Sequence, residues 1–475
     1  MSFYNDVRAP GGAFSHPGEE CGIFGAVGHE EASFLNYYGL HALQHRGQES
    51  CGICSSYGGR FHHRRGMGLV KEVFTQEHLE ELPGVAAIGH VRYSTSGESH
   101  LVNAQPLIFR YRGGELAIAT NGTLTNAPEL RAELESEGSI FQTTSDTEVL
   151  AHLVARSREA SLEEDVFQAL NRLDGAFAFL ILTNERLIAA RDPHGFRPFS
   201  MGRLGDARVF ASETCAFDAV GATFDREVAP GEMLVLDDEG NQESLQFAEP
   251  RRRGVCTMEY VYFARPDSDL DGINLHSARK RLGRRLAREA LVEADVVTGV
   301  PDSSISAAIG YAEESRLPYE MGLIKNRYTG RTFIQPSQGL REQGVKMKLS
   351  AVRGVVAGKR VVMVDDSIVR GTTSLRIVRL LREAGAREVH VRISSPPFQN
   401  PCYFGIDTPS RDELIASRFT VDQIREKIGA DSLHFLSREG MVEAIGRPEC
   451  GHPDRGHCLG CFTNEYPAPT YEEER

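Results

Sequence analysis

The sequence predicts a chain in two parts: an α+β region built on antiparallel strands, followed by an α/β region with a parallel sheet. Three observations carry this. The chain has 475 residues, more than one core usually holds, since domains run about 100–200 residues. Short β-like runs bounded by turn residues fill it up to about residue 245, as in packed antiparallel strands. After about residue 275 the rhythm becomes strand, loop, helix, which indicates a parallel sheet.

Taken in order, the first twenty residues, MSFYNDVRAPGGAFSHPGEE, mix Pro, Gly and charge without a continuous apolar stretch. They do not read as a secretory signal; a flexible tail and a removable pro-segment are the two readings. VAAIGHVRYST, LAIATNG, GAFAFLILT, RLIAARD and EMLVLDD follow as strands. Two helices interrupt them, Asn126 to Glu137 and Ser145 to Arg156. The second has a cap-like Ser145 and apolar Val149, Leu150, Leu153 and Val154 on one face, the spacing of an amphipathic helix. The composition turns polar from Gln242 and ends in Arg251-Arg252-Arg253-Gly254. The domain boundary belongs there, with the arginines as a solvated linker. Beyond it, Asp295–Thr298 is a strand, residues 299–302 a loop, and a helix follows; Val361–Val364 begins a second such unit, and EVHVRIS a further strand. Ligands of such a sheet sit in loops at the carboxyl ends of its strands.

Composition excludes some classes. A formal net charge of −13 disfavours a bulk nucleic-acid binder, and no apolar run reaches the ~18–20 residues of a membrane span. Nine cysteines, an odd number, spread from Cys21 to Cys461. Without a secretory signal this argues against a disulfide framework and for a cytoplasmic protein with catalytic or metal-binding thiols.

The stretch VVMVDDSIVRGTT has the plainest mechanical logic. A buried strand delivers Asp365 and Asp366 to its end, and a short loop with Ser367, Arg370 and Gly371 leads to Thr372 and Thr373 at a helix start. Free N–H groups and the helix dipole make an anion site there. Two carboxylates beside it would repel a bare phosphate, but they suit a sugar diol or Mg²⁺. The loop therefore asks for a phosphate, a diol and Mg²⁺ together, a phosphoribosyl group. An acidic helix cap is the bland alternative, and a costly one for two buried carboxylates. The loop VPDSS adds Asp302, Ser303 and Ser304, where a pyrophosphate could lie. Residues 325–349 are basic, with Lys325, Arg327, Arg331, Arg341, Lys346 and Lys348. They read as a lid that closes over a leaving group and excludes water, or as an ordinary exposed loop.

Cys21, in PGEECGIFG, is more often a buried structural thiol when taken alone. Other segments change that reading. GHVRYSTSG puts Arg92 at a strand end, ready to clamp a carboxylate. ATNGTLTN ends a strand with Asn121-Gly122, an amide and an N–H fit for an oxyanion hole. TTSDTE holds Asp146 at a helix start, where it can receive an ammonium. Together they describe an amino-acid amide attacked by a thiol. The base is the missing part, since His90 is expected to face away from Arg92. The α-amine of Cys21, with a pKa of roughly 7.7–8.0, would serve if the chain is cut between Glu20 and Cys21.

EECGIFG, LQHRGQES, GHVRYST, NGTLTN, TTSDTE, MEYVYFARPDS, KNRYTGRTFI and VDDSIVRGTTS, all in order, resemble the glutamine phosphoribosylpyrophosphate amidotransferase family from Glu19 to about Cys461. The resemblance implies a pro-segment (1–20), an α+β N-terminal-nucleophile glutaminase sandwich (21–250), and a type I phosphoribosyltransferase domain with a C-terminal cluster-binding segment (251–475). It implies Cys21 as nucleophile, Asn121 and Gly122 on the oxyanion, and Arg92, Thr95 and Asp146 on glutamine. Phosphoribosyl pyrophosphate would meet Lys325, Asp365, Asp366, Ser367, Arg370, Gly371, Thr372 and Thr373. One Mg²⁺ per subunit would meet Ser303, Asp365 and Asp366. Ammonia would pass internally to C1 of the sugar, giving 5-phosphoribosylamine in purine synthesis. Purine nucleotides are the expected feedback inhibitors and a homotetramer the expected assembly. A non-catalytic phosphoribosyl-pyrophosphate-binding regulator is the rival, but it has no need of Cys21, Arg92, Asn121 and Asp146 together.

Cys458-x-x-Cys461 has metal-ligand spacing. With Cys256 and Cys402 it matches positions that hold a [4Fe–4S] cluster in the class of this family that carries a pro-segment, which implies one cluster per subunit. A zinc knuckle from Cys450, His452, His457, Cys458 and Cys461 competes. Cys51 and Cys54, three apart on a strand, point to opposite faces and read as core packing, as does Cys215.

Overall fold

The computed structural model describes residues 21–93, 99–112, 114–326, 349–408, 410–448 and 452–471. Backbone packing divides them into two compact units. One holds residues 21–276 together with 401–408 and 446–471; the other holds 277–400 and 410–445. The division expected at residue 250 is thus not where the compact units part: residues 251–276, the loop around Cys402 and the C-terminal segment all pack with the first unit.

That first unit carries two antiparallel sheets. The strands are β1 (Gly22–Val27), β2 (Ser50–Tyr57), β3 (Arg60–Met67), β4 (Ala86–Arg92), β5 (Leu107–Tyr111), β6 (Gly114–Leu124), β7 (Gly175–Leu182), β8 (Arg186–Arg191), β9 (Ser200–Leu204), β10 (Ala207–Ala211), β11 (Thr223–Glu227), β12 (Glu232–Asp237) and β13 (Gln242–Gln246). One sheet runs β11-β9-β10-β1-β4-β2-β3, the other β13-β12-β8-β7-β6-β5. Alternation explains how they stack. On β7, Ala178, Leu180 and Leu182 share a core with Ile23, Ile88 and Phe210 of the other sheet. Phe177, Phe179 and Ile181 face the opposite way, into a core with helices α2 (Ala127–Ser136), α3 (Thr147–Arg156) and α4 (Leu162–Leu170). The first sheet buries Phe24, Ile53 and Val91 against α1 (Ala32–Ala42) and α5 (Cys215–Val220). The unit is a helix–sheet–sheet–helix sandwich, the α+β layering that the family resemblance implies.

Cys51 and Cys54 sit in different cores on the two faces of β2, as their spacing requires, and Cys215 is buried in α5. The helix expected from Ser145 begins at Thr147 with Asp146 as its cap. The Asp146 carboxylate accepts from the Thr147 N–H at 2.9 Å, a role aspartate fills as well as serine.

The other unit holds a parallel sheet in the order β14 (Val296–Gly299), β15 (Arg360–Asp365), β16 (Glu388–Ile393), β17 (Ser432–Phe435). Val361 and Met363, with Val389, Val391 and Ile393, give it a continuous apolar core, the pattern of strands covered on both faces. Helix α6 (Ile305–Ser315) follows β14 and α7 (Thr372–Glu383) follows β15, so both connecting loops lie at carboxyl ends of strands. Among the described residues no helix is long and apolar enough to cross a membrane.

Candidate active site

Cys21 stands just before β1. The pairing of Gly22 with Val91 brings it opposite Arg92, and its Sγ donates to the Tyr93 carbonyl at 3.4 Å. Desolvation pushes the thiol up; the Tyr93 contact and Arg92 oppose this, while Asp146 and Glu49 add to it. Arg92 is buried and lies 3.9 Å from the Glu49 carboxylate. Asp146 accepts from Leu124 N–H and Thr147 N–H, each at 2.9 Å. Burial is the largest influence on its carboxyl and pushes it up.

Asn121 is buried on β6 and donates from Nδ2 to Ser212 Oγ at 3.4 Å. Ser212 Oγ also accepts from the Ile23 N–H at 3.0 Å, so one hydroxyl ties the oxyanion candidate to the strand that starts at the nucleophile. Gly122 has φ +133°, and a Cβ there would lie 2.0 Å from the Ala176 carbonyl oxygen. Only glycine fits. Thr95 lies outside the described residues.

His90 does not face away from Arg92. The two are two positions apart on β4, and positions i and i+2 share a strand face, so the sequence expectation misapplied the alternation. His90 is nonetheless unsuited to proton transfer: its Nε2 meets the Thr120 carbonyl at 2.9 Å, and burial lowers its pKa to about 3.

A buried charge network that the sequence reading did not assign holds the Cys21 main chain. Arg46 Nε donates to the Cys21 carbonyl at 3.0 Å. Its Nη1 donates to Glu213 at 2.6 Å, and Nη1 and Nη2 donate to Glu259 at 2.9 and 2.7 Å. Glu213 further accepts from Ser268 Oγ and the Arg265 N–H, each at 2.8 Å. The charges of His45 and Arg46 hold its carboxyl well below the usual range despite burial. Buried pairs of this kind need every partner in place. LQHRGQES was legible as a motif, but a bond to a carbonyl 25 residues away has no local sequence signal.

Cys256, Cys402, Cys458 and Cys461 all lie in this same unit. Cys256 and Cys458 are direct partners in a two-residue parallel bridge. The Phe404 N–H donates to Cys402 Sγ at 3.3 Å. The Cys461 thiol is pushed well up by burial and then by the charges of the other three, and Cys458 is pushed up to about 12, again chiefly by burial. Phe196, Phe404, Ala176 and Ala468 pack with Cys402, Cys458 and Tyr466. Among the described residues, no set of three or more His, Cys, Asp or Glu side chains is arranged to hold a metal ion. His452 pairs with Asp454 at 3.0 Å, and Cys450 lies outside the described residues.

In the parallel-sheet unit, Asp365 ends β15 and Asp366 follows it, both fully buried. Ser303 Oγ donates to Asp366, Ser304 Oγ donates to Asp365 at 3.0 Å and to Asp366 at 3.3 Å, and Ser367 Oγ donates to Asp366 at 2.7 Å. The loop before α6 and the loop before α7 thus share one carboxylate cluster. Gly371 has φ +78° directly before α7, and a Cβ there would meet Ile415 Cδ1 at 2.6 Å. Thr372 and Thr373 open the helix. Arg370 is paired with Glu413 at 2.5 Å and Lys325 with Asp302 at 3.1 Å. Arg327, Arg331, Arg341, Lys346 and Lys348, the expected lid, lie outside the described residues.

Comparison with known proteins matches both halves. A glutamine amidotransferase domain model matches residues 90–219, and a phosphoribosyl transferase domain model matches residues 270–394. The amidophosphoribosyltransferase of Bacillus subtilis (strain 168) is 61% identical over 456 residues, covering 96% of this chain and 95% of the relative. That of Archaeoglobus fulgidus is 52% identical over 461 residues, covering 96% and 99%. A solved structure described as the allosteric regulatory enzyme of purine biosynthesis superposes with a TM-score of 0.92 at 61% identity, covering 95% of this chain and 97% of its own. Another, the B. subtilis glutamine phosphoribosylpyrophosphate amidotransferase complexed with ADP and GMP, gives 0.91 at 60% identity, covering 95% and 98%.

Proposed function

The chain belongs to the amidophosphoribosyltransferase family of purine biosynthesis, and we propose that Cys21 opens its reaction by attacking the side-chain amide of glutamine. Arg92 clamps the substrate α-carboxylate, Asp146 receives the α-ammonium, and Thr95 lies beside them. Sγ adds to the amide carbon, and Asn121 Nδ2 and the Gly122 N–H stabilise the oxyanion that forms. The observation that carries this reading is the placement of Cys21 opposite Arg92 across the β1–β4 pairing, with Asp146 bonded to the Leu124 N–H at the end of the strand that holds Asn121 and Gly122.

A thiol pushed up by burial needs a base. Removal of residues 1–20 gives Cys21 a free α-amine, with a pKa of roughly 7.7–8.0, which takes the thiol proton and passes it to the departing ammonia. Water then hydrolyses the thioester to glutamate. The ammonia lone pair attacks C1 of phosphoribosyl pyrophosphate, and the C1–O bond breaks with its electrons going to pyrophosphate. Backbone N–H groups from Asp366 to Thr373, with Ser367 and Gly371, bind the 5-phosphate, and Asp365 and Asp366 face the ribose diol. Arg370 and Lys325 meet the sugar phosphates after exchanging their carboxylate partners. Ser303, Asp365 and Asp366 would hold Mg²⁺, an oxygen donor set suited to that ion, which when bound offsets the charge of the pyrophosphate.

We further propose that residues 21–250 carry the glutaminase and 251–475 the transferase with its cluster-binding segment. Cys256, Cys402, Cys458 and Cys461 would hold a [4Fe–4S] cluster. Their all-sulfur character, the burial of Cys461 and the Phe404 N–H on Cys402 suit a thiolate-held group, whose role here is to bind the C-terminal segment to residues 255–256. Purine nucleotides as inhibitors, a homotetramer and a cytoplasmic setting complete the reading. The complete constellation on both halves argues against a non-catalytic regulator.

The test is stoichiometry in a purified assay with glutamine, phosphoribosyl pyrophosphate and Mg²⁺. Glutamate and pyrophosphate released one for one support the reading; glutamate without pyrophosphate overturns its second half. Iron and sulfide analysis should find four iron atoms per chain, and zinc alone would refute the cluster.

A further inference from the structure

The β5–β6 ladder stops at Ile118, three residues short of the oxyanion candidate Asn121. Leu107 pairs with Ile118, so continued register would set Gln105 opposite Thr120, the residue before Asn121. The Gln105 carbonyl turns instead toward β2, where a Cβ on Gly52 would lie 2.4 Å from it. The Thr120 main chain therefore loses both ladder partners in the interior. Two side chains replace them: Gln105 Oε1 accepts from the Thr120 N–H at 2.7 Å, and His90 Nε2 meets the Thr120 carbonyl at 2.9 Å. The same Gln105 amide then donates from Nε2 to Thr147 Oγ1 at 3.1 Å. Thr147 is the first residue of α3, next to Asp146. Gln105 and Thr147 are 5% and 1% exposed, so water does not compete for these bonds.

We propose that Gln105 is a positioning residue for the glutamine half-reaction, coupling the oxyanion strand at Asn121 to the substrate-binding cap at Asp146 through one side-chain amide. The inference rests on the roles proposed above for Asn121 and Asp146. Its logic is geometric. The Thr120 bond fixes where the Asn121 amide and Gly122 N–H point, and so acts on kcat. The Thr147 bond fixes where the Asp146 carboxylate sits, and so acts on KM for glutamine. A misplacement of about 1 Å at such a site costs on the order of 100-fold in rate.

The experiment measures the full-length enzyme with two nitrogen sources, since free ammonia reaches the second half-reaction without the glutaminase. Gln105→Leu should lower glutamine-dependent kcat by about 10- to 100-fold and raise KM for glutamine, with the ammonia-dependent rate within about twofold of wild type. Thr147→Val, which spares the Thr120 bond, should raise KM mainly, and Thr147→Ser should restore it. Adding Thr147→Val to Gln105→Leu should raise KM no further. If Gln105→Leu does not fold, the Thr147 pair carries the test. Asn121→Ala separates the two levels. If it abolishes the glutamine rate while Gln105→Leu and Thr147→Val leave it unchanged, the coupling is refuted and the site stands. If Asn121→Ala leaves the glutamine rate intact, the site assignment falls and the coupling with it. Parallel loss of the ammonia rate in Gln105→Leu would reduce Gln105 to a structural role and overturn the proposal.

Discussion

The proposed glutamine site and the proposed phosphate loop solve the same problem, holding polar groups ready in a buried place, by opposite means. Asp365, Asp366, Ser367, Gly371 and Thr373 come from one strand–loop–helix unit, with Ser303 and Ser304 reaching in from the neighbouring loop. Cys21, Arg92, Asn121 and Asp146 come from four separate segments. Arg46, tied to Glu213 and Glu259, holds the Cys21 carbonyl, Ser212 bonds the Asn121 amide, and Gln105 bonds the Thr120 N–H beside Asn121. A contiguous loop builds its site from local geometry, whereas a dispersed one is only as good as its long-range ties. The two should therefore respond differently to substitution.

The largest separation should come from Cys21→Ala. We expect the glutamine-dependent rate to fall by at least about 1000-fold, as when a catalytic nucleophile is removed, with the ammonia-dependent rate kept. Equal loss of both would erase the distinction between the sites. Asp366→Asn is the converse: both rates should fall by about 100-fold, because the transferase step is common to them, and an effect on glutamine alone would contradict the assignment. Gly371→Ala should raise KM for phosphoribosyl pyrophosphate by about tenfold with either nitrogen source. The left-handed backbone and the Ile415 contact resist a Cβ at a cost of about 1–2 kcal/mol, and an unchanged KM would show that the loop tolerates it.

The smallest effect sharpens the picture of His90. Its folded pKa of about 3 lies below the ordinary value of 6.5, so the unfolded chain binds more protons between those limits. Stability from the neutral ring is complete above pH ~6.5 and falls by up to about 1.4 kcal/mol per pH unit below it. Denaturant midpoints of wild type and His90→Gln should converge between pH 7 and pH 5; parallel curves would show that His90 titrates normally.

Much of this contrast was legible in the sequence, for reasons that follow from it. Asp365-Asp366 at the end of an apolar strand states its chemistry locally, and the structure adds only the hydrogen bonds by which Ser303, Ser304 and Ser367 reach the carboxylates. The strand runs and their burial alternation also read directly, as the two faces of β7 and the separation of Cys51 from Cys54 show. The cap of α3 was off by one residue, since Ser145 and Asp146 are both good caps and only the fold decides which carboxylate or hydroxyl meets the Thr147 N–H. Arg46, Ser212 and Gln105 were not found, because each bonds main-chain groups far away in sequence, a contact that no spacing or propensity encodes. The division into compact units differs from the polar linker at 242–254 because residues 251–276 continue into contacts with the C-terminal segment, such as the bridge between Cys256 and Cys458.

The central claim is that Cys21 supplies both nucleophile and base. The most direct test is the intact mass of the purified enzyme, read beside its glutamine-dependent activity. The account predicts that activity tracks the form beginning at Cys21, with residues 1–20 lost. A chain that keeps those residues and still hydrolyses glutamine at the full rate would contradict it.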